Sequence, residues 1–580
     1  SLSTRGLTVA GGKLSLSKLN EINSGAVTLI DGSIINSNGT ASLTSTATYT
    51  LEKGTVSAVL GGAVVAAIVK NTAGKVVLSG NNTFNGTAAT IAVNAGYLNL
   101  GHSNALGAAA SANTTTVLAG ATLELENSIT IPSVKAITVN GTGVGRNGAI
   151  RNISGTNSIG ANITLGTTNV RINSDSGTLT IPTISGNTFN TIFGGDGNIA
   201  VSGAITTTSG TITKDGAGAL ALSGNNTYTG TTTLINGTLV ANTTNSIGNE
   251  ASTNTFIFKG GTLQATGTIT SASTRAFTLI SNATIDTNGN SVSIAGTMGS
   301  IGGLTKIGAG TLTLTGVTTI GGNLAISDGT FVAPTTMTLN GDFSNSGTFT
   351  HSNGTLTIAP TNTTLTTNIL GSSNTSFYNL TNNTAGSTLQ FKAGNTYTFA
   401  NTLTLNGADG NPISLNSDSS GVQWLMTLSG TSSLSYIKVK DSGCSGGNTI
   451  SASNTVYDYG NNGICWSFIA PGFKKGGESL ESSASPSGQG TGGSSGGSGG
   501  GGASFAIATA VVSSNVVQSV TINYGGTGYT SIPTVLFCGG GGSGALGTAV
   551  LTGDVVTSVT VDNGGSGYSS APTIVFNSNC

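Results

Sequence analysis

Apolar and small polar residues alternate along most of this chain in short runs. The clearest run is Lys214 to Ala241, KDGAGALALSGNNTYTGTTTLINGTLVA, where Thr, Ser or Gly separate Leu220, Leu222, Tyr228, Leu234 and Leu239. Period-two alternation marks strands with one buried face. The pattern returns: KVVLSGNNTFNGTAATIAVNAGYLNLG runs from Lys75 to Gly101, and a decayed copy, TKIGAGTLTLTG, runs from Thr305 to Gly316 and on through GGNLAISDGTFVA. Strands of about four to six residues, broken by Gly and Asn-Gly turns with no helical stripe between them, predict a chain that coils repeatedly and stacks each turn on the last. The expected fold class is all-β, a long parallel β-helix.

The alternation starts at once, with Leu7, Val9, Leu14, Leu16, Val27, Leu29 and Ile34 between Gly-Gly, Asp-Gly and Asn-Gly turns. It weakens between 108 and 210 and returns from 211 to 340. From 341 to 470 less regular coils follow, ending near Trp466 and Phe468. At about 20 to 25 residues per coil, 470 residues make about 20 coils, and a strand spacing of ~4.8 Å gives a rod about 100 Å long. The expected organisation is 1–340 regular β-helix, 341–470 its continuation and end, 471–503 a linker, and 504–580 a small all-β module. The linker rests on composition, since Lys474 to Ala503 is Gly/Ser-rich without apolar pattern, and ~30 such residues span roughly 30 Å if free. The module rests on a tandem duplication, VVQSVTINYGGTGYTSIPTVLF at Val516–Phe537 and VVTSVTVDNGGSGYSSAPTIVF at Val555–Phe576.

The wording of the repeat, with its GAGxLxL, SGNNTY/F and NGTL segments, resembles the passenger-associated repeat of bacterial autotransporters and related secreted surface proteins. Residues 57 to 107 follow that family's order of segments, and the likeness extends over residues 1 to 340. It implies a right-handed β-helix carried outside the cell. Such proteins end in a membrane barrel, and no such pattern follows residue 340. The duplicated module is similar to GGxGY-type repeats of phage tail fibres and bacterial surface proteins.

Composition narrows the function. Only 7% of residues are charged, 36% are hydrophobic, Gly contributes 91 of 580, and the net charge is −1. A patterned apolar content of this size predicts folding rather than disorder. No global basic surface exists to hold nucleic acid or anionic lipid. AVLGGAVVAAIV, from Ala58 to Val69, is too short and too interrupted for a membrane span. The chain begins at Ser1 without a leader, which suits either a processed protein or a fragment.

Candidate chemistry is sparse. His102 and His351, the sole histidines, lie far apart, so neither a catalytic triad nor a histidine metal site is expected. GGDGN at Gly194–Asn198 reads as a turn rather than a calcium repeat. Arg146, Arg151, Arg171 and Asp175 would share a face if coils stack in register, but read as isolated surface charges. No catalytic, cofactor or metal residue is expected, and the chain is not read as an enzyme. Asn82 and Asn226, within NNT, are potential glycan acceptors on turns. Tyr529 and Tyr568 are possible glycan-binding aromatics, though equivalent core positions suit them better. The four cysteines, Cys444, Cys465, Cys538 and Cys580, admit three pairings. About one coil separates Cys444 from Cys465, which favours that pair and leaves Cys538 with Cys580. A link between chains through Cys580 is the rival.

Two functions remain. One is an extracellular structural rod that self-assembles, head to tail or through its C-terminal module, into a surface fibre, sheath or layer. In that scheme FAIATAVV at Phe505–Val512 is a strand offered to a neighbour's open edge. The other is an adhesin stalk whose module binds surface glycans.

Overall fold

In the strand Ala219–Leu222, Leu220 and Leu222 point inward while Ala219 and Ala221 face out. Leu220 stacks on Ile199 of the preceding coil and is followed in register by Leu239, Leu263 and Ile285. Every named strand pairing in this part of the chain is parallel, and the coils form a β-solenoid of about 19 turns. The computed structural model describes residues 6–17, 20–23, 25–37, 41–62, 66–85, 89–451, 456–467, 474–475, 506–526 and 529–576. The chain divides into two units, Ser1–Ser479 and Leu480–Cys580.

Coil length is set by turns rather than strands. Leu324 stacks on Phe343 with a short connection, whereas the chain from Leu123 to Ile150 carries the outward loop with the 3-10 turn Val144–Arg146. Described residues contain no α-helix. Inside, aliphatic columns give way to stacked rings toward the C-terminal coils: Phe377 lies 5.9 Å from Phe399, and Phe391 lies flat on Trp424 at 4.0 Å. Phe377 and Phe399 stack because parallel in-register coils place the same position directly over itself, whereas Phe391 and Trp424 meet from strands of two different sheets. Strand pairing passes the expected boundary at 470, since Lys474–Lys475 pairs with Val456–Asp458. The rest of the Gly/Ser stretch, and Phe468, lie outside the described residues.

The second unit is a closed antiparallel barrel of six strands: β1 (Ile507–Ser513), β2 (Val516–Tyr524), β3 (Thr534–Cys538), β4 (Ser543–Thr552), β5 (Val555–Ser566) and β6 (Thr573–Phe576). Around the barrel the order is β1-β2-β5-β4-β3-β6. Exchanging the first three strands with the last three leaves that order unchanged, so the duplicated halves are related by a pseudo-two-fold axis. The register obeys it. Val520 faces its counterpart Val559, and Val535↔Phe576 is matched by Phe537↔Ile574. The core is built from equivalent residues, among them Ala510 with Ala549, Val517 with Val556 and Tyr529 with Tyr568.

Candidate functional site

The recurrent wording of the repeat corresponds to one recurrent device. Lys70, Lys214 and Lys306 each sit two residues after an inward-facing residue, Ile68, Ile212 and Leu304, and strand parity therefore turns them inward. All three are buried. Their ammonium groups donate to backbone carbonyls of their own turn, Thr72, Gly216 and Gly308, and to one carbonyl of the next coil: Ala95 at 3.1 Å, Asn236 at 3.3 Å and Asp328 at 3.0 Å. The residue after each next-coil carbonyl is a glycine in the left-handed region, Gly96 (φ 68°), Gly237 (φ 69°) and Gly329 (φ 65°). A Cβ at any of them would overlap carbonyl oxygens of the coil below, so only glycine lets these turns stack so closely. Burial pushes the Lys214 ammonium down to about 8 and lowers Lys70 and Lys306.

The NNT segment is a second tie. Asn82 accepts the Leu60 N–H (2.9 Å) from one side and donates to the Ala105 carbonyl (2.8 Å) on the other. Asn226 likewise accepts from Ile205 (2.8 Å) and donates to Ser246 (2.7 Å). These buried amides join adjacent coils; the Asn-x-Thr acceptor position of each NNT is the preceding asparagine, so the glycan reading moves from Asn82 and Asn226 to their neighbours. The first asparagine of each NNT, Asn81 and Asn225, is the exposed one. The next residue, Phe84 or Tyr228, is fully buried. In the third copy this segment is absent and Val317 is exposed instead.

One outer face carries an ordered row of charges, which corrects the reading of isolated surface groups. Glu124, Arg151 and Asn173 occupy the same register position on successive coils. The Glu124 carboxylate, only 3% exposed, lies 2.8 Å from Lys75 Nζ and 3.2 Å from Arg151 Nη1. Arg151 also donates from Nε to Asp175 (2.7 Å), whose hydrogen bond holds the guanidinium above its ordinary value. Arg171 reaches across the coil between to Asp215 with two hydrogen bonds, at 2.6 and 3.0 Å. Gly194 makes the crossing possible, because a Cβ there would overlap both Arg171 Nη2 and Asp215 Oδ1. Arg146 stays apart, exposed in its turn.

The remaining candidates have local roles. His102 and His351 each accept a backbone N–H two residues on, from Asn104 (3.0 Å) and Asn353 (3.1 Å). GGDGN connects the strands Thr191–Gly194 and Asn198–Val201. Among the described residues no group of three His, Cys, Asp or Glu is placed to hold a metal. Cys444 and Cys465 are joined by a disulfide, Cα atoms 5.8 Å apart. Cys538 is disulfide-bonded as well, and Cys580 lies outside the described residues. Tyr529 and Tyr568 are buried in the barrel, and the Tyr529 hydroxyl accepts the Ala506 N–H at 2.7 Å. The strand expected to add to a neighbour, now β1, is paired on both edges, with β2 and β6.

Fold and ties together define a β-solenoid built on passenger repeats. The family model of the passenger-associated-transport repeat matches residues 68–100, 212–241 and 304–333, so the chain carries this repeat three times. Lys70, Lys214 and Lys306 stand at the third residue of the three matches. Over 148 residues the chain is 40% identical to the Adhesin BmaC autotransporter of Brucella suis biovar 1 (strain 1330). That stretch covers 23% of this chain and 4% of that relative, so the chain spans a small fraction of its length. No solved structure matches the chain.

Proposed function

We propose that this chain is an exported, surface-exposed stalk of the adhesin passenger type, in which the solenoid is a stiff support and the C-terminal barrel is the displayed module. The observation that carries this reading is the parallel solenoid of about 19 turns with its three passenger repeats, whose buried lysines tie coil to coil. The 40%-identical stretch in an autotransporter adhesin points the same way. A hydroxyl-rich exterior with few charges suits a stalk that stays clear of nucleic acid and anionic lipid. The role is structural and non-catalytic, without cofactor or metal, and surface glycans are the ligand class we assign to the displayed end.

Intact cells that make the protein provide the test. Antibodies against the barrel should label them without permeabilisation, external protease should remove the label, and beads coated with the full chain should be retained on glycan surfaces. Labelling only after permeabilisation would overturn the exported reading. Release of sugars from a panel of polysaccharides would overturn the non-catalytic one. The rival, a rod that polymerises into a fibre or layer, is separated by electron microscopy of the same preparation, where isolated stalks support the first reading and ordered polymers the second.

A further inference from the structure

A closed barrel offers no free edge, so association of this unit with another chain has to come from opening it. The pseudo-two-fold symmetry shows where it opens. Each half is completed by the other: Tyr529 donates its backbone N–H to the Asp554 carbonyl, and Tyr568 donates its own to Asn515, each bond 3.1 Å long. Gly525 packs against Val555 and Val556, and Gly564 against Val516 and Val517. Four junctions join the halves: β2 with β5 and β3 with β6 pair residues with their counterparts, while β3 with β4 and β1 with β6 are equivalents of each other. The halves are connected through Gly539–Gly542, of which Gly539, Gly540 and Gly541 have φ of 77°, 75° and 80°. A glycine-only turn has no side chain to hold it folded and extends at little conformational penalty.

We propose that the C-terminal barrel is an exchangeable joint between copies of this chain, in which β4–β6 of one molecule close a barrel with β1–β3 of another. Every main-chain bond across the four junctions is reproduced in the exchanged form, which keeps exchange between identical chains inexpensive; the Gly539–Gly542 connection extends, and the disulfide of Cys538 at the end of β3 has to open by thiol exchange and re-form. Reciprocal exchange yields a pair of molecules. Exchange onward to a third molecule yields an open chain. The closed barrel is favoured in dilute solution, because a short connection holds the two halves at an effective concentration on the order of millimolar. Exchange therefore belongs to crowded arrays of the protein. The inference goes beyond the stalk reading and does not depend on it.

The test uses the full-length chain carrying Val520→Cys and Val559→Cys, prepared in ordinary and isotopically heavy form. The two are mixed at high concentration with a thiol reductant that opens the Cys538 disulfide, passed through mild denaturant, reoxidised, sized by light scattering and digested for mass spectrometry. The expected result is dimers and longer species in which residues 520 and 559 are linked between heavy and light chains in the random proportion. Oligomers whose 520–559 links all lie within one chain would place association elsewhere and overturn the proposal, as would a monomer at every concentration. A second pair of variants avoids new cysteines. Deleting Gly540 and Gly541 makes the connection too short to close and should raise the dimer fraction several-fold, while four added glycines should lower it. An oligomer fraction indifferent to connection length would also sink the proposal.

Discussion

An ammonium group buried without a carboxylate destabilises a fold unless carbonyls replace its water. Lys306 has a full set, Thr287 Oγ1 at 3.0 Å and the carbonyls of Ile307, Gly308 and Asp328 at 3.1, 2.6 and 3.0 Å. Lys306→Met keeps the volume and strands those oxygens. It is expected to destabilise the flanking coils by roughly 1–3 kcal/mol for the orphaned acceptors, seen as faster amide exchange at Ser327 and Thr305. The lysines also set a pH dependence. Burial pushes Lys135 and Lys214 down to about 8, so in the folded state they release protons at a pH where the unfolded chain still holds them. Stability rises with pH wherever the unfolded state binds more protons. Melting temperature should therefore climb from about pH 8 toward the lysine range near 10, and less steeply in Lys214→Met. Above about pH 10 the sign reverses, because Tyr228 and Tyr397, buried and pushed up to about 12, keep protons that unfolded tyrosines lose. A melting temperature that falls from pH 8 to 9.5 would contradict this assignment. The clamps were legible in principle: Lys214 follows Ile212 at inward parity, but a lysine in an alternating strand reads by default as an outward residue.

At the scale of coils, neighbours are tied by side chains as well as by the ladder of main-chain bonds. The Arg171–Asp215 pair depends on Gly194. Gly194→Ala should destabilise these coils, and Arg171→Met should remove most of that penalty by removing one group the methyl meets and releasing the other, the Asp215 carboxylate, to move aside. A double-mutant cycle measures it, and additive effects would show that the strain lies in the backbone instead. The Cys444–Cys465 disulfide closes one loop of the last coils. Its loss is expected to lower their stability by about 3 kcal/mol on the chain-entropy account, raising exchange in Ser442–Gly447 while Thr262–Ala265 is unchanged. Sequence showed strands and their inward faces here because alternation is local. It did not show the charge row, because pairing Glu124 with Arg151 requires the coil length between them, and that length is stretched by the loop around Val144–Arg146. For the same reason the duplication in the last unit was visible while its closure into a barrel, an order in which β2 meets β5, was not.

For the whole molecule, a solenoid has no centre. Main-chain ladders join each coil only to the coils before and after it, and ion pairs such as Lys75–Glu124 and Arg171–Asp215 reach one coil further, so stability is close to a sum of coil and near-neighbour terms and unfolding need not be all-or-none. Leu239 illustrates the consequence, since its register neighbours are Leu220 and Leu263 and no residue from distant coils. Leu239→Ala leaves a cavity worth roughly 2–5 kcal/mol at a fully buried site. In a globular domain that loss would lower protection everywhere. Here it should open amides in the strands Ala219–Leu222, Thr238–Ala241 and Thr262–Ala265, leaving those of Val27–Asn36 and Thr396–Asn406 at their original rates. Calorimetry of the same variant should give a van't Hoff enthalpy well below the calorimetric one, the mark of a transition that proceeds in parts. Native-state hydrogen exchange read strand by strand decides the matter. Uniform acceleration across all strands would mean that the coils unfold as one cooperative body, and a nearest-neighbour solenoid would then be the wrong physical description of this chain.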